Sequence, residues 1–439
     1  SRILIMNFKK LLLTLGIFVF LPLISFASSG EPVSDGLSVL GIRLEFILFA
    51  LTLVGVALFH HRTLQVALIG LTSILLLRIF STEFSVVHLI EHEWEILVNL
   101  LGLLLGFAVL AKHFEESGVP DNLPKVLPGG WLGCFVLLVF VFIMSAFLDN
   151  IAAALIGGSI GLVIFRGNVH IGYLAAIVAA SNAGGSGSVV GDTTTTMMWI
   201  DGVDLTWVLP AFIGSVPALL FFGYFASKQQ FKLQPIIKEG MAENKPINYK
   251  RLLVCVMILI GAVSTNILLD FPAAGVWGAI MLGALFTKTP WKEIPTAIPG
   301  TAFLLSLVLS ASMMPVDTLP AASWQTAFAM GFISSVFDNI PLTKLALVQG
   351  GYDWAVLAYA VGYGGSMIWF GSSAGVAISN LYARAKSVPN WVKGGWHVIV
   401  AYVIGFTILL LIEGWHPHAP HKDYDNNTDT EHVIEESVN

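Results

Sequence analysis

Residues 181–199 read SNAGGSGSVVGDTTTTMMW, and this polar stretch interrupts an otherwise apolar region. Apolar residues dominate 171–180 before it and 207–225 after it. Its centre holds glycine, serine and threonine together with one acidic residue, Asp192. In a bilayer, backbone that leaves a regular helix is tolerated only where it faces protein or a water-filled cavity. An ionisable side chain at such a depth therefore predicts a functional site.

A counterpart of this stretch appears 180 residues later. Residues 364–375 read GGSMIWFGSSAG and repeat the pattern GGS-x4-G-[DS]-[ST] that begins at Gly184. A second pair precedes the first, because LDNI at 148–151 returns as FDNI at 337–340 with an offset of 189. Two similar halves, each with two interrupted apolar segments, are typical of a secondary transporter built from inverted repeats. The substrate site of such a transporter lies where the interruptions meet.

Composition places the whole chain in a membrane. Of its 439 residues, 56% are hydrophobic and only 11% are charged, and the mean hydropathy is +0.81. Soluble domains carry about 25% charged residues. The net charge of −6 gives no reason to expect nucleic acid as a partner. Both cysteines, Cys134 and Cys255, lie in apolar segments, which predicts packing roles rather than a disulfide or a metal site.

The order of the apolar segments predicts an all-α polytopic membrane protein with two inverted repeats, each with a re-entrant hairpin and a broken transmembrane helix. The first repeat covers 39–226, with spans near 39–59, 64–80 and 95–112, a hairpin at 131–165, a broken helix at 171–200 and a last span at 206–226. A polar linker follows at 227–251. The second repeat covers 252–413, with spans near 252–269, 273–287 and 299–315, a hairpin at 322–350, a broken helix at 353–386 and a last span at 396–413.

Basic residues give this layout an orientation. The linker 227–251 is rich in lysine and arginine, so the positive-inside rule predicts that it is cytoplasmic. The two hairpins then enter from opposite faces of a bacterial inner membrane. Residues 1–29 have a basic start, a short apolar core and small residues at the end. That pattern fits either a signal peptide or an uncleaved first helix.

The tail 414–439 is acidic and polar and is predicted to be periplasmic. Four histidines lie in it, namely His416, His418, His421 and His432. A solvated tail is a simpler interpretation of them than a metal site.

Three carboxylates are predicted near the middle of the membrane: Asp149, Asp192 and Asp338. Burial disfavours the charged form of a carboxylate, whereas a nearby hard cation such as Na⁺ favours it. One group can therefore hold either a proton or Na⁺, and that competition is a sufficient basis for exchange. The alternative interpretation is that each aspartate caps a helix, since aspartate favours this position.

Neutral oxygen atoms for the same ion-binding site are available from several further side chains. These are Asn150, Asn182, Thr193, Thr194, Thr195, Ser334, Asn339, Ser366, Ser372 and Ser373. Lys344, six residues after Asp338, is interpreted either as a counter-ion of the site or as a side chain that reaches to the membrane interface. No cofactor and no resident metal is expected, and the ions bound would be those transported.

One motif suggests a different class of protein. His88, Glu91 and His92 match the H-x-x-E-H pattern of a class of zinc peptidases. They are predicted in a short outer loop, and the sequence offers no identifiable third ligand. A wet interfacial surface is therefore favoured over an enzyme, and metal analysis of the purified protein would separate the two.

Asn182-Ala-Gly-Gly with Gly191-Asp192-Thr-Thr-Thr, together with Phe337-Asp338-Asn339-Ile340-Pro341, resembles the NhaD-type Na⁺/H⁺ antiporters. They belong to an ion transporter superfamily that also contains arsenite permeases and divalent-anion symporters. The resemblance extends from about residue 39 to 413. It implies exchange of cytoplasmic Na⁺ or Li⁺ for external protons, and a homodimer with a scaffold and a moving transport part. The family's functional positions match Asn182, Asp192, Thr194, Thr195, Ser334, Asn339 and Ser373.

Three features depart from the family pattern. The first hairpin tip lacks an additional acidic residue beside Asp149, Ser372 stands where the first break has its aspartate, and the second hairpin carries Lys344. An anion carrier of the same superfamily, for a carboxylate or arsenite, is the main alternative. The carboxylates oppose it, because at about 4 Å and an effective dielectric constant of about 20 each like-charge pair costs about 4 kcal/mol.

Overall fold

In a computed structural model, the described residues are 37–39, 42–59, 62–81, 84–238, 246–316 and 319–419. The predicted signal peptide or first helix at 1–29 lies outside them, as do residues 420–439 of the tail. The described chain is helical apart from one antiparallel pair of two-residue strands, β1 (Ser38–Val39) and β2 (Ile42–Arg43).

The helices follow one another with short connections. In the first half they are α1 (Leu44–Leu58), α2 (Thr63–Ser81), α3 (Val86–Glu115), α4 (Val119–Val126), α5 (Trp131–Ser145), α6 (Asn150–Ile164), α7 (Ile171–Gly185), α8 (Thr193–Ile200), α9 (Leu205–Val208) and α10 (Ala211–Leu233). In the second half they are α11 (Tyr249–Leu269), α12 (Pro272–Ala284), α13 (Glu293–Ser312), α14 (Trp324–Ser334), α15 (Asn339–Gln349), α16 (Trp354–Gly364), α17 (Ser373–Leu381), α18 (Val388–Gly394) and α19 (Trp396–Glu413), with a 3₁₀ turn at Ala383–Ala385.

Within the described residues, six helical segments are long and apolar enough to cross a membrane. They are Thr63–Ser81, Val86–Glu115, Leu205–Leu233, Tyr249–Leu269, Glu293–Ser312 and Trp396–Glu413. The chain is therefore an all-α polytopic membrane protein, as its sequence predicts. The third span begins at Val86 rather than near 95, so the segment predicted as an outer loop is largely helical. The short helices α4 and α18, each with a proline in its first turn, are not anticipated by the apolar pattern.

The helices pack as two groups. Helices α1–α3 and α11–α13 contact one another and form a group that we call the frame. The hairpins α5–α6 and α14–α15, the helix pairs α7–α8 and α16–α17, and helices α10 and α19 form the second group, called the core group. The two groups meet mainly where α13 lies against α15 and where α3 lies against α8.

The interrupted segments are shorter than a membrane crossing. Helices α5 and α6 have 15 residues each, and α14 and α15 have 11 each. At about 1.5 Å per residue they are roughly 22 Å and 16 Å long, less than the ~30 Å hydrocarbon core. Short paired helices of this kind support the predicted re-entrant hairpins. The inverted orientation of the two halves stays a prediction.

Equivalent contacts fix each hairpin to the broken helix of its own half. Ser145 Oγ donates to the Ser181 carbonyl at 2.5 Å, and Ser334 Oγ donates to the Val361 carbonyl at 2.7 Å. Ser334 follows Ser145 by 189 residues, and Val361 follows Ser181 by 180, which are the two offsets of the sequence pattern. The predicted repeat thus has the same internal hydrogen bond in both halves.

Glycines allow these close approaches. A Cβ on Gly184 would overlap the carbonyl oxygen of Phe142, and one on Gly364 would overlap that of Gly331. Neither glycine has a positive φ, so the constraint is space rather than backbone conformation.

Gly364→Ala is expected to destabilise the protein by about 1–3 kcal/mol, because backbone must move to admit the methyl group. The measurement is the thermal midpoint of the purified protein in detergent. Gly278→Ala is the matched control, since a Cβ on this exposed helical glycine meets nothing within 4 Å. Equal midpoints for the two variants would contradict the packing argument.

Candidate functional site

Each aspartate of the predicted site begins a helix. Asp149 caps α6 and accepts a hydrogen bond from the Ile151 amide at 3.2 Å. Asp338 caps α15 in the same way, accepting from the Ile340 amide at 3.1 Å. The capping interpretation is therefore correct, but it engages only one oxygen of each carboxylate. A second oxygen remains for another partner, and in Asp338 it accepts from Ser373 Oγ at 3.4 Å.

Asp192 is the most deeply placed of the three. It caps α8 through Oδ1, which accepts from the Thr194 amide at 3.2 Å, and the residue is 1% exposed. Its other oxygen, Oδ2, and the Thr194 hydroxyl are buried and make no hydrogen bond with any residue in the described part of the chain. An unpartnered carboxylate oxygen in such a position is costly, and it needs an explanation such as a bound ion.

One cavity connects the three carboxylates. Its volume is about 1910 Å³, and Asp149, Asp192, Thr193, Asp338 and Ser373 contribute to its wall. Asp149 and Asp338 both interact electrostatically with Asp192. Hydrophobic side chains of α3 and α13 form another part of the wall, and the cavity extends to residues 246–250 at the end of the linker. The interruptions of the core group therefore face the frame across a shared space.

Amides and hydroxyls form a second cluster between the two broken helices. Asn150 Nδ2 donates to Asn182 Oδ1 at 3.1 Å. Asn182 Nδ2 in turn donates to Ser366 Oγ at 2.9 Å and to Ser372 Oγ at 3.1 Å. All four side chains are buried. Asn182 thus joins the first hairpin to the break of the second half.

Other predicted ligands bond the backbone. Thr195 Oγ1 donates to the Ser188 carbonyl at 2.6 Å, and Ser334 Oγ donates to the Val361 carbonyl. These hydroxyls satisfy carbonyls that the interruptions leave without helical partners. Asn339 is buried at the start of α15 and does not line the cavity.

Lys344 takes part in a buried ion cluster. Its Nζ lies 3.0 Å from Glu93 Oε2 and 3.7 Å from Asp201 Oδ1. Lys344 is 0% exposed, so the alternative that it reaches the membrane interface is wrong. Glu93 belongs to the frame, whereas Lys344 and Asp201 belong to the core group. The ion cluster therefore bridges the two groups. The sequence gives no signal that singles out Glu93, which lies within the charged run EHEWE at 91–95, and Asp201 is marked only by its acidity after the apolar residues 197–200.

The H-x-x-E-H residues lie at the beginning of α3. His88, Glu91 and His92 are all exposed, on a helix rather than in the predicted loop. In the described ranges, no three histidine, cysteine, aspartate or glutamate side chains are grouped as metal ligands. Cys134 and Cys255 are both free and buried, as expected of packing residues.

The chain is similar to several known transporters and antiporters. Residues 46–364 match the Citrate transporter family, CitMHS. Sodium/proton antiporter 1 of Arabidopsis thaliana is 26% identical over 394 residues, which cover 77% of this chain and 66% of that protein. The Na⁺/H⁺ antiporter NhaD of Vibrio parahaemolyticus is 26% identical over 354 residues, covering 66% of this chain and 84% of that protein. An NhaD of Vibrio cholerae is 24% identical over 347 residues, covering 64% and 69%.

The family match covers most of the described helices, including both hairpins and the first half of the second broken helix. The resemblance to NhaD-type antiporters is confirmed at about one quarter identity. The chain belongs to the citrate transporter (CitMHS) family of membrane transporters and is homologous to the NhaD Na⁺/H⁺ antiporters.

Proposed function

We propose that this protein exchanges Na⁺, or Li⁺, for protons, and that Asp192 with Asp149 and Asp338 forms the exchange site. The membrane is the bacterial inner membrane, with the linker in the cytoplasm and the tail in the periplasm. The functional unit is a homodimer. The similarity to antiporters supports Na⁺ and protons as the transported ions, and the basic residues of the linker support the orientation in the membrane.

The observation that carries the proposal is the convergence of three carboxylates on one cavity, with Asp192 Oδ2 buried and unpartnered by the described residues. A dehydrated carboxylate gains a large electrostatic stabilisation from a proton or from a cation. It cannot hold both, since a proton on Oδ2 removes the charge that attracts Na⁺. Release of one therefore accompanies binding of the other.

The cavity also gives the carboxylates a path towards the linker. It extends from the carboxylates to residues 246–250, which belong to the basic linker. With the linker in the cytoplasm, this conformation would admit cytoplasmic Na⁺ to the site. Exchange then requires a second conformation in which the same carboxylates are reached from the opposite side.

Citrate or another carboxylate is the second candidate, because the matched family is named for citrate. A tricarboxylate needs cationic partners. The lysines that line the cavity are Lys112, Lys125 and Lys250. They lie near the end of α3, in α4 and at the start of α11, and none of them is at a hairpin tip. The tips instead contribute aspartates, which repel an anion. This arrangement favours the cation.

Proteoliposomes with an imposed pH gradient test the proposal. Adding Na⁺ or Li⁺, but not K⁺, should dissipate the gradient in a dye assay, and vesicles without protein provide the baseline. Uptake of radiolabelled citrate by the same vesicles tests the alternative. Dissipation that ignores Na⁺ and Li⁺, or proton movement driven only by citrate, would contradict cation exchange.

Lower pH should weaken the apparent Na⁺ affinity, because protons and Na⁺ compete for the same oxygens. The half-saturating Na⁺ concentration should rise by up to tenfold per pH unit, about the limit for one competing proton. It is measured at symmetrical pH on both sides of the vesicle. A lower maximal rate with unchanged half-saturation would argue against direct competition.

A further inference from the structure

The two halves carry different groups at equivalent positions beside their broken helices. The offset of 180 pairs Asn182 with Gly362, Ser186 with Ser366 and Asp192 with Ser372. The first half thus has an asparagine and an aspartate where the second half has a glycine and a serine. Both halves have the same hydrogen bond between hairpin and broken helix, so the residues paired by this offset occupy equivalent places in the two halves.

In front of the second-half break, the space is occupied by the side-chain amide of Asn182, which comes from the first half. Asn182 Nδ2 donates to Ser366 Oγ at 2.9 Å and to Ser372 Oγ at 3.1 Å. Its orientation is fixed because Asn182 Oδ1 accepts from Asn150 Nδ2 at 3.1 Å. Both protons of the amide nitrogen are therefore committed to the serine oxygens.

In front of the first-half break the equivalent position is Gly362 of the second half, which has no side chain. A Cβ on Gly362 would lie 3.1 Å from Asp192 Oδ2 and 3.9 Å from Thr194 Oγ1. Those are the two buried oxygens without a hydrogen bond from the described residues. Gly362 is inside α16 and has no positive φ, so its backbone does not require glycine. A glycine within a helix costs up to about 1 kcal/mol relative to alanine. Its observable consequence here is that no side chain at position 362 donates to Asp192 Oδ2.

An amide NH₂ group and a Na⁺ ion present positive charge to the same kind of oxygen. The break with the neutral Ser372 faces the amide of Asn182, whereas the break with the acidic Asp192 faces Gly362, which has no side chain to donate. An amide donor is thus found beside the neutral serine, and no such donor is found at the corresponding position beside the aspartate. We propose that each protomer binds a single Na⁺, at Asp192 and Thr194, and that the Asn182 amide takes the place of a second ion beside Ser372. This inference rests on the proposed exchange.

Equilibrium binding of ²²Na⁺ to the purified protein at alkaline pH tests this stoichiometry. One Na⁺ per protomer is expected for the unmodified chain. Gly362→Asn introduces an amide beside Asp192 and should weaken binding at least tenfold. Gly278→Asn is its matched control, because the control glycine is helical and exposed with open space beside it. The offset of 180 places Ala374 opposite Thr194, so the triple variant Asn182→Gly/Ser372→Asp/Ala374→Thr recreates the first-half arrangement at the second break and should bind a second Na⁺.

The outcomes separate this inference from the proposed function. Two Na⁺ per protomer in the unmodified chain, with exchange intact, would overturn the single-site inference alone. Unchanged Na⁺ affinity in a folded Gly362→Asn variant would also overturn it. Absence of both Na⁺ binding and Na⁺-dependent exchange would overturn the proposed function as well. If the triple variant does not fold, the stoichiometry of the unmodified chain and the Gly362→Asn affinity still decide the question.

Discussion

Replacing Asp192 with asparagine is expected to abolish Na⁺-dependent proton exchange while leaving the protein folded. Asparagine caps helices about as well as aspartate, so the hydrogen bond from the Thr194 amide can be kept. The charge on the second oxygen is lost. At a separation of about 2.4 Å and an effective dielectric constant of about 20, that charge contributes about 7 kcal/mol of attraction to Na⁺. Losing half of this would weaken binding by more than a hundredfold.

The measurement is the dissipation rate in proteoliposomes, which should fall to the baseline without protein. Asp204→Asn is the matched control, because Asp204 caps α9 through the Thr206 amide but does not line the cavity. The control should exchange normally, and both variants should keep the thermal midpoint within a few degrees. Full exchange by the Asp192 variant would remove this carboxylate from the mechanism.

Replacing Lys344 with methionine is expected to destabilise the protein strongly, by about 3–5 kcal/mol, because Glu93 and Asp201 would remain buried without their cation. All three side chains are at most 3% exposed, so water cannot take over the role of the ammonium group. The expected result is a large fall in the thermal midpoint in detergent, together with poor recovery of monodisperse protein.

A neutral version of the whole ion cluster gives the control for this effect. Lys344→Met with Glu93→Gln and Asp201→Asn removes every charge, and replacing a complete buried cluster is often neutral or stabilising. Recovery of stability in the triple variant would show that the loss comes from carboxylates buried without the Lys344 ammonium group. A single Lys344→Met variant as stable as the unmodified protein would show that the ion cluster does not hold the frame and the core group together.

The positions of the helix interruptions can be predicted from the sequence, because glycine, aspartate and asparagine stand out within otherwise apolar segments. The residues Asp149, Asp192 and Asp338 could be selected in this way, and the structure places all three on one cavity. Apolar length also gave most of the spanning helices, although the start of α3 was missed by about nine residues. Its first turns carry charged and histidine side chains, which lower the apolar signal without preventing a helix.

Pairing across the fold was harder to predict, since sequence spacing does not say which helices touch. Lys344 lies six residues from Asp338 along the chain, yet its partners are Glu93 and Asp201 on other helices. Gly362 was overlooked because a glycine has no functional group. Its signal was present in the offset of 180, which places it opposite Asn182, but only the contacts of Asp192 give that correspondence a meaning.

The hydrogen bonds from Ser145 to Ser181 and from Ser334 to Val361 constrain how the molecule can change shape. Each tip is attached to a helical carbonyl near the end of α7 or α16, and glycines bring the chains too close for either to slide independently. A hairpin therefore cannot swing open like a flap without breaking its own support. If the proposed exchange switches the side from which ions enter, each tip would therefore have to move together with the broken helix of its own half.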